Sequence, residues 1–264
     1  MSYNFKVYDL GNNEIHVCSF PNYVQSGSVN YNDYADFQRS LETLKKCNKH
    51  GSCSVSSYEN LSQDKKDLFN QLRSVRRSKD SIYKLALCNE WDYFTTFTFD
   101  SSNYRYDYDV CIKRFRQWVS NLKKRFCPNL QYLFIVEPHK DGAYHLHGLM
   151  SGVDPSLLDQ IKSDVYVFRN YNFGICDVQP VKDSAKISNY ITKYITKELF
   201  FKGSNKHNYF CSRGLKHPEV KTFNLPETRI EDFFLSNFPD YEINHIYNGK
   251  NHTCYLSCKK KDPE

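Results

Sequence analysis

The sequence predicts an α+β fold, an antiparallel β-sheet with helices packed on one of its faces. Two observations predict it. Between residues 90 and 215 the apolar periodicity runs strand, helix, strand, strand, helix, strand, helix, strand. With helices this sparse, the strands are expected to pair antiparallel and to leave the second face open for a site.

The elements follow in chain order. Residues 1–60 read as irregular or β-like, with "NYVQSGSVNYNDY" as a loop. Asp64 to Leu87 carries Leu68, Leu72, Val75, Ile82 and Leu85 near helical spacing, with Arg73, Arg76, Arg77 and Lys79 on the other side. That basic side is either a solvated helix face or a stripe that contacts phosphates. "DYFTTFTF" (92–99) is β-branched and aromatic throughout, hence a buried strand. Val110 to Phe126 is an amphipathic helix turning Ile112, Phe115, Val119 and Leu122 inward, closed by Pro128. "LQYLFIVEP" (130–138) and "AYHLHGLM" (143–150) are strands. A short helix near 155–163 and a strand around 173–181 come next. A helix from Ser184 to about Leu199 then precedes the strand-like "NYFCSRGL" (208–215), and the tail to 264 forms a small β-like appendage. The expected domains are an N-terminal extension (1–60), a central domain (61–219) that opens with the basic helix, and a C-terminal appendage (220–264).

Composition narrows the classes without choosing one. At 40% hydrophobic residues the chain buries a core, and no apolar run is long enough to span a membrane. The start has no basic region leading into an apolar one, so export by a classical signal is not expected. Ten cysteines are scattered without a CxxC pair, which favours free thiols in a reducing cytoplasm over disulfides. A net charge of +6 with 21 tyrosines and 19 phenylalanines suits a binder of single-stranded nucleic acid. An AT-rich coding sequence would enrich the same residues.

The chemistry concentrates in "VEPHKDGAYHLHG". Side chains alternate along a strand, so His145 and His147 share a face. A three-residue loop, Lys140 to Gly142, with Gly142 in the left-handed position, sets Glu137 opposite His145 on that face. One carboxylate and two imidazoles can hold a divalent ion with positions open for water and a phosphate oxygen. The plain alternative is a pair of hydrogen-bonded core histidines. In "SAKISNYITKYITKEL", Tyr190 and Tyr194 stack one helical turn apart beside an apolar stripe of Ile187, Ile191 and Ile195. Lys193 and Lys197 flank them, available to a phosphate. Taken alone, the two tyrosines could equally be the edge of a core.

"YFTTFTF", "HLHGL" and "YITKYITKE" occur in that order. Together they resemble the three motifs of rolling-circle replication initiators, the histidine–hydrophobe–histidine (HUH) endonucleases. Within that group the chain is most similar to the replication-associated proteins of small single-stranded DNA phages and related plasmids. The resemblance covers roughly residues 73–219, including "SRGLKHPE", where Arg213 and Lys216 join Arg73, Arg76 and Arg77 as expected DNA contacts. It implies an RRM/ferredoxin-like core, with Glu137, His145 and His147 as ligands of Mg or Mn. It also implies Tyr190 and Tyr194 as nucleophile positions, assisted by Lys193 and Lys197. The expected activity is metal-dependent nicking and joining of single-stranded origin DNA through a 5′-phosphotyrosine, in the cytoplasm of a bacterial host. No nucleoside-triphosphate loop is present, so a host helicase and DNA polymerase are expected partners. The alternative is a non-catalytic RRM-like nucleic-acid-binding protein, which would carry exposed sheet aromatics where the histidines stand.

Overall fold

The computed structural model describes residues 2–11, 13–25, 62–100, 103–194, 209–225, 229–248 and 254–261. In chain order the regular elements begin with β1 (Ser2–Asp9), β2 (Glu14–Gln25), α1 (Gln63–Cys88), β3 (Tyr93–Phe99) and α2 (Tyr108–Arg125). They continue with β4 (Gln131–Pro138), β5 (Tyr144–Ser151), β6 (Leu158–Lys162), β7 (Val165–Phe168), β8 (Gly174–Pro180) and α3 (Ser184–Ile191). The last are β9 (Tyr209–Cys211), β10 (Glu219–Phe223), α4 (Ile230–Asn237), β11 (Tyr241–Asn248) and β12 (Cys254–Lys260). No described helix is long and apolar enough to cross a membrane. The chain divides into two compact units, Val75–Lys216 and Met1–Ser74 with His217–Glu264.

The Val75–Lys216 unit is built on a seven-stranded antiparallel sheet of order β6-β7-β8-β3-β5-β4-β9. Strand alternation splits its side chains between two cores. Phe97, Phe134, Val136 and Leu146 face α2, whose Ile112, Phe115, Trp118 and Leu122 complete a buried aromatic cluster. Phe94, Leu133, Ile135 and Leu149 face the other way, onto Val75, Ile82, Leu85 and Ala86 of α1 and Ile191 of α3. Both helices that follow strands are locally encoded. Asp107 caps α2 by accepting from the Asp109 and Val110 N–H groups, and Lys123, Lys124 and Arg125 meet the negative end of its dipole. Asp183 caps α3 by accepting from the Lys186 N–H at 3.0 Å.

Two sequence expectations are corrected here. Helices cover both faces of the sheet, not one, because the central strands β3, β4 and β5 are apolar on both sides and each side must be buried. The helix expected near 155–163 is a single 3-10 turn, Pro155–Leu157, followed by β6, which pairs with β7. The helix expected to reach Leu199 is α3 followed by a 3-10 turn, Thr192–Tyr194, and its remainder lies outside the described residues.

The other unit carries a five-stranded antiparallel sheet of order β10-β1-β2-β12-β11, so strands from both ends of the chain share it. Phe5, Val7, Ile15, Val17 and Leu256 form its inner face and bury Phe233 and Phe234 of α4.

Candidate functional site

The hairpin between β4 and β5 fixes the register of the site. The His139 N–H donates to the Ala143 carbonyl at 2.7 Å, which leaves Lys140–Gly142 as the loop. Gly142 donates back to the His139 carbonyl at 2.8 Å with φ at +91°, a conformation that costs glycine little. Pairing with β5 then sets Glu137 opposite His145 and Ile135 opposite His147.

Three cross-strand rows run over this face. The first is Glu137, His145, Thr98 and Ile175; the second Ile135, His147, Thr96 and Asp177; the third Leu133, Leu149, Phe94 and Gln179. Polarity rises along the strands, from the apolar third row under the helices to the first row near the hairpin loop. Each histidine ring is oriented by the threonine beside it. The Thr96 hydroxyl lies 3.2 Å from His147 Nδ1, and the Thr98 hydroxyl 3.1 Å from His145 Nδ1. Engagement at Nδ1 leaves Nε2 as the nitrogen free to meet another partner.

Glu137 does not use that freedom on its direct neighbour. It reaches diagonally, placing Oε2 at 2.8 Å from Nε2 of His147. The His145 ring lies instead against His139, with centroids 4.9 Å apart. Burial, together with the facing His139 and His147, pushes the His145 pKa below its ordinary value of 6.5, against a smaller opposing pull from Glu137 and Asp141. A neutral imidazole is the form that can act as a ligand.

The donor chemistry of Glu137 and His147 fits a hard or borderline divalent ion. Two neighbouring ligands of an octahedral ion at about 2.1 Å stand about 3 Å apart, close to the spacing of this pair. Among the described residues, no group of three or more His, Cys, Asp or Glu side chains converges in an arrangement that could hold a metal ion.

The tyrosines come onto the same face from α3 and the turn after it. The Tyr194 ring stacks on His147 at 3.6 Å between centroids with a 17° tilt, and its hydroxyl donates to the Tyr190 hydroxyl at 2.6 Å. Phe94 supports both, edge-on to Tyr190 at 5.3 Å and near-parallel to Tyr194 at 6.0 Å. Burial, then the hydrogen bond with Tyr190, raises the pKa of Tyr194 well above the ordinary tyrosine value. Tyr190 is more open to solvent, and Lys193 Nζ lies 5.2 Å from its ring centroid. A groove of about 730 Å³ opens beside the pair, lined by Thr96, Gln179, Lys186, Tyr190, Lys193 and Tyr194 among others.

The face thus brings together Glu137, His147, Tyr190, Tyr194 and Lys193, with His145 one row along. Lys197 lies outside the described residues. Arg76 and Arg77 are exposed on the α1 segment of this unit, whereas Arg73 is half-buried in the segment that belongs to the other. Arg213 and Lys216 are exposed on the loop after β9, where Asn89 holds the Lys216 backbone through two hydrogen bonds of 2.9 and 3.0 Å. Thr96, Thr98 and Phe94 were missed by sequence reasoning. The alternation within "FTTFTF" was the signal that could have found them, since residues 94, 96 and 98 share one face.

Fold and face define an α+β protein whose central sheet presents imidazole, carboxylate and phenol groups side by side. Residues 92–199 match a family of replication-associated proteins, the one described by its ORF2 member. The match takes in β3, β4, β5 and α3, which supply every side chain of the histidine–tyrosine cluster, and it supports a role in replication initiation. No curated protein and no solved structure matches the chain.

Proposed function

We propose that the chain is a sequence-specific single-stranded DNA nickase and strand transferase that initiates rolling-circle replication through a 5′-phosphotyrosine. The observation that carries this reading is the stacking of Tyr194 on His147 at 3.6 Å, with Tyr190 in hydroxyl contact. That packing puts a nucleophile pair directly over a phosphate-binding centre.

Glu137, His145 and His147 would hold a divalent ion, Mg or Mn, which when bound supplies polarisation of the phosphate oxygens. The protein's own groups do the rest. Thr96 and Thr98 hold the imidazoles in one orientation. Lys193 and Lys197 offer positive charge to the strand. A tyrosine hydroxyl gives up its proton, and its oxygen bonds to phosphorus in line with the departing 3′ oxygen. The P–O3′ bond breaks, the 3′ oxygen takes up a proton, and the 5′ phosphate remains on tyrosine. The free 3′-hydroxyl primes a host polymerase while a host helicase unwinds. The second tyrosine then cuts the regenerated origin, and strand transfer releases a circle.

Mapping the covalent adduct tests this. With a labelled origin strand and Mn, Tyr190→Phe and Tyr194→Phe should each still form an adduct but transfer strands poorly. The double variant should form none. An adduct mapped to a residue other than these two overturns the mechanism.

A further inference from the structure

We propose that Arg105 binds a backbone phosphodiester of the substrate strand, at the end of the face away from α3. The inference rests on the reading of this face as a single-stranded DNA site and adds to it a subsite outside the histidine–tyrosine cluster.

Arg105 sits in the 3-10 turn Asn103–Tyr106, which follows β3. The turn is anchored on both sides of the arginine. The Tyr104 hydroxyl donates to the Phe173 carbonyl at 3.1 Å, and Asp107 closes the turn by donating to the Tyr104 carbonyl at 2.8 Å. The guanidinium lies 4.9 Å from the Tyr106 ring centroid, and its Nη2 donates to the Tyr106 hydroxyl at 2.6 Å. Nη2 also meets Asp141 of the β4–β5 loop, at 3.4 Å. Asp141 in turn lies 3.5 Å from His139 Nδ1, and the His139 ring lies against His145. The arginine is therefore two side chains from the histidine row.

Its donors are poorly used. The Nε is buried and has no hydrogen-bond partner, although an orphaned buried donor is disfavoured. Asp141 does not satisfy it, because that carboxylate touches only Nη2 at long range and commits its Oδ1 to the Ala143 N–H at 2.9 Å. Asp100 is the other carboxylate whose field reaches Arg105. A guanidinium whose Nε side is left open, held flat on a tyrosine at the rim of a nucleic-acid face, presents the fork that matches two oxygens of a phosphodiester.

A neutral-phosphate walk tests the assignment. The probe is a fluorescent single strand chosen from a random pool for tight binding to the full chain. Single methylphosphonates replace its phosphates in turn, and binding is read by anisotropy in chelator so that cleavage does not intervene. Wild type should lose affinity at one or more positions. Arg105→Ala should bind the unmodified strand roughly tenfold more weakly and become indifferent to substitution at one of those positions. If Arg105→Ala loses cooperative thermal unfolding, Arg105→Gln, which keeps the stem on Tyr106, carries the same expectation. A variant that keeps the wild-type position profile, or a wild type for which no single phosphate matters, overturns the proposal. The nickase reading fails separately, through an adduct assay that comes back empty while the walk still locates the arginine's phosphate.

Discussion

The two faces of the seven-stranded sheet are made from the same strands and differ in almost everything else. On the α2 side, Phe97, Phe134, Val136 and Leu146 have no exposed surface and meet a helix that fills the space above them. On the other side, helices cover only the row of Leu133, Leu149 and Phe94, and the next two rows carry threonines, histidines and a glutamate. One residue's shift along β5 changes a core leucine, Leu146, into a site histidine, His147. The lesson is a division of labour. The α2 face supplies the stability that allows the opposite face to leave imidazoles and phenols where chemistry can reach them.

The sharpest way to break that comparison is a pair of truncations. Phe134→Ala removes a ring in contact with Phe115 and Phe97, at 4.9 and 5.8 Å between centroids. It should cost about 3–5 kcal/mol in urea unfolding. His147→Ala should leave the chain folded yet lower nicking by about 100-fold or more. Equal stability losses from the two variants would mean that the histidine face is as much core as the other.

Gly148 sharpens the comparison at smaller scale, because it lies between the two regimes. It pairs with Phe134, and a Cβ built on it would stand 2.0 Å from the Phe134 ring. Gly148→Ala should therefore destabilise by about 1–3 kcal/mol through overpacking on the α2 side, with the histidines of the opposite face unmoved. A variant as stable as wild type would show that the Phe134 ring has room to yield.

The smallest expected effect is a pH dependence. In the folded chain His145 has a pKa below its ordinary 6.5, so as pH falls the unfolded chain takes up that proton first. Its contribution then opposes folding progressively as pH drops below about 6.5. His145→Asn should flatten that part of the stability curve in chelator, relative to wild type. A wild-type curve that rises on acidification through the same window, by an amount lost in His145→Asn, would reverse the sign of the argument.

Much of this was legible in the residues. Helical spacing placed α1 and α2 within a few residues, and Gly142 with the loop length gave the register that sets Glu137 opposite His145. The diagonal reach of Glu137 to His147 was not legible, because alternation fixes the face of a side chain but not its rotamer. Thr96 and Thr98 read only as β-formers, since nothing local shows that a hydroxyl will meet a ring two strands' worth of sequence away. The segment 155–163 misled for a different reason. Asp154, Pro155, Leu157, Leu158 and Ile161 mimic a capped helix, whereas pairing with β7 decides for a strand. The cover on the second face escaped notice because the apolar residues of α1 do not reveal which sheet face they will meet.

The sheet shared by the two ends of the chain has a consequence for the order in which the protein assembles. β1 pairs with β10, and β2 has β12 as its second neighbour, so these contacts span most of the sequence. During synthesis the Val75–Lys216 unit is complete in the chain before β10, β11 and β12 exist, and all its strand partners are already present. The N-terminal hairpin must meanwhile wait with both flanks of β1 and β2 unpaired, a pair of open edges that invites pairing with other chains. Closure of that sheet is accordingly the late, high-contact-order event, made possible only when the last strand leaves the ribosome.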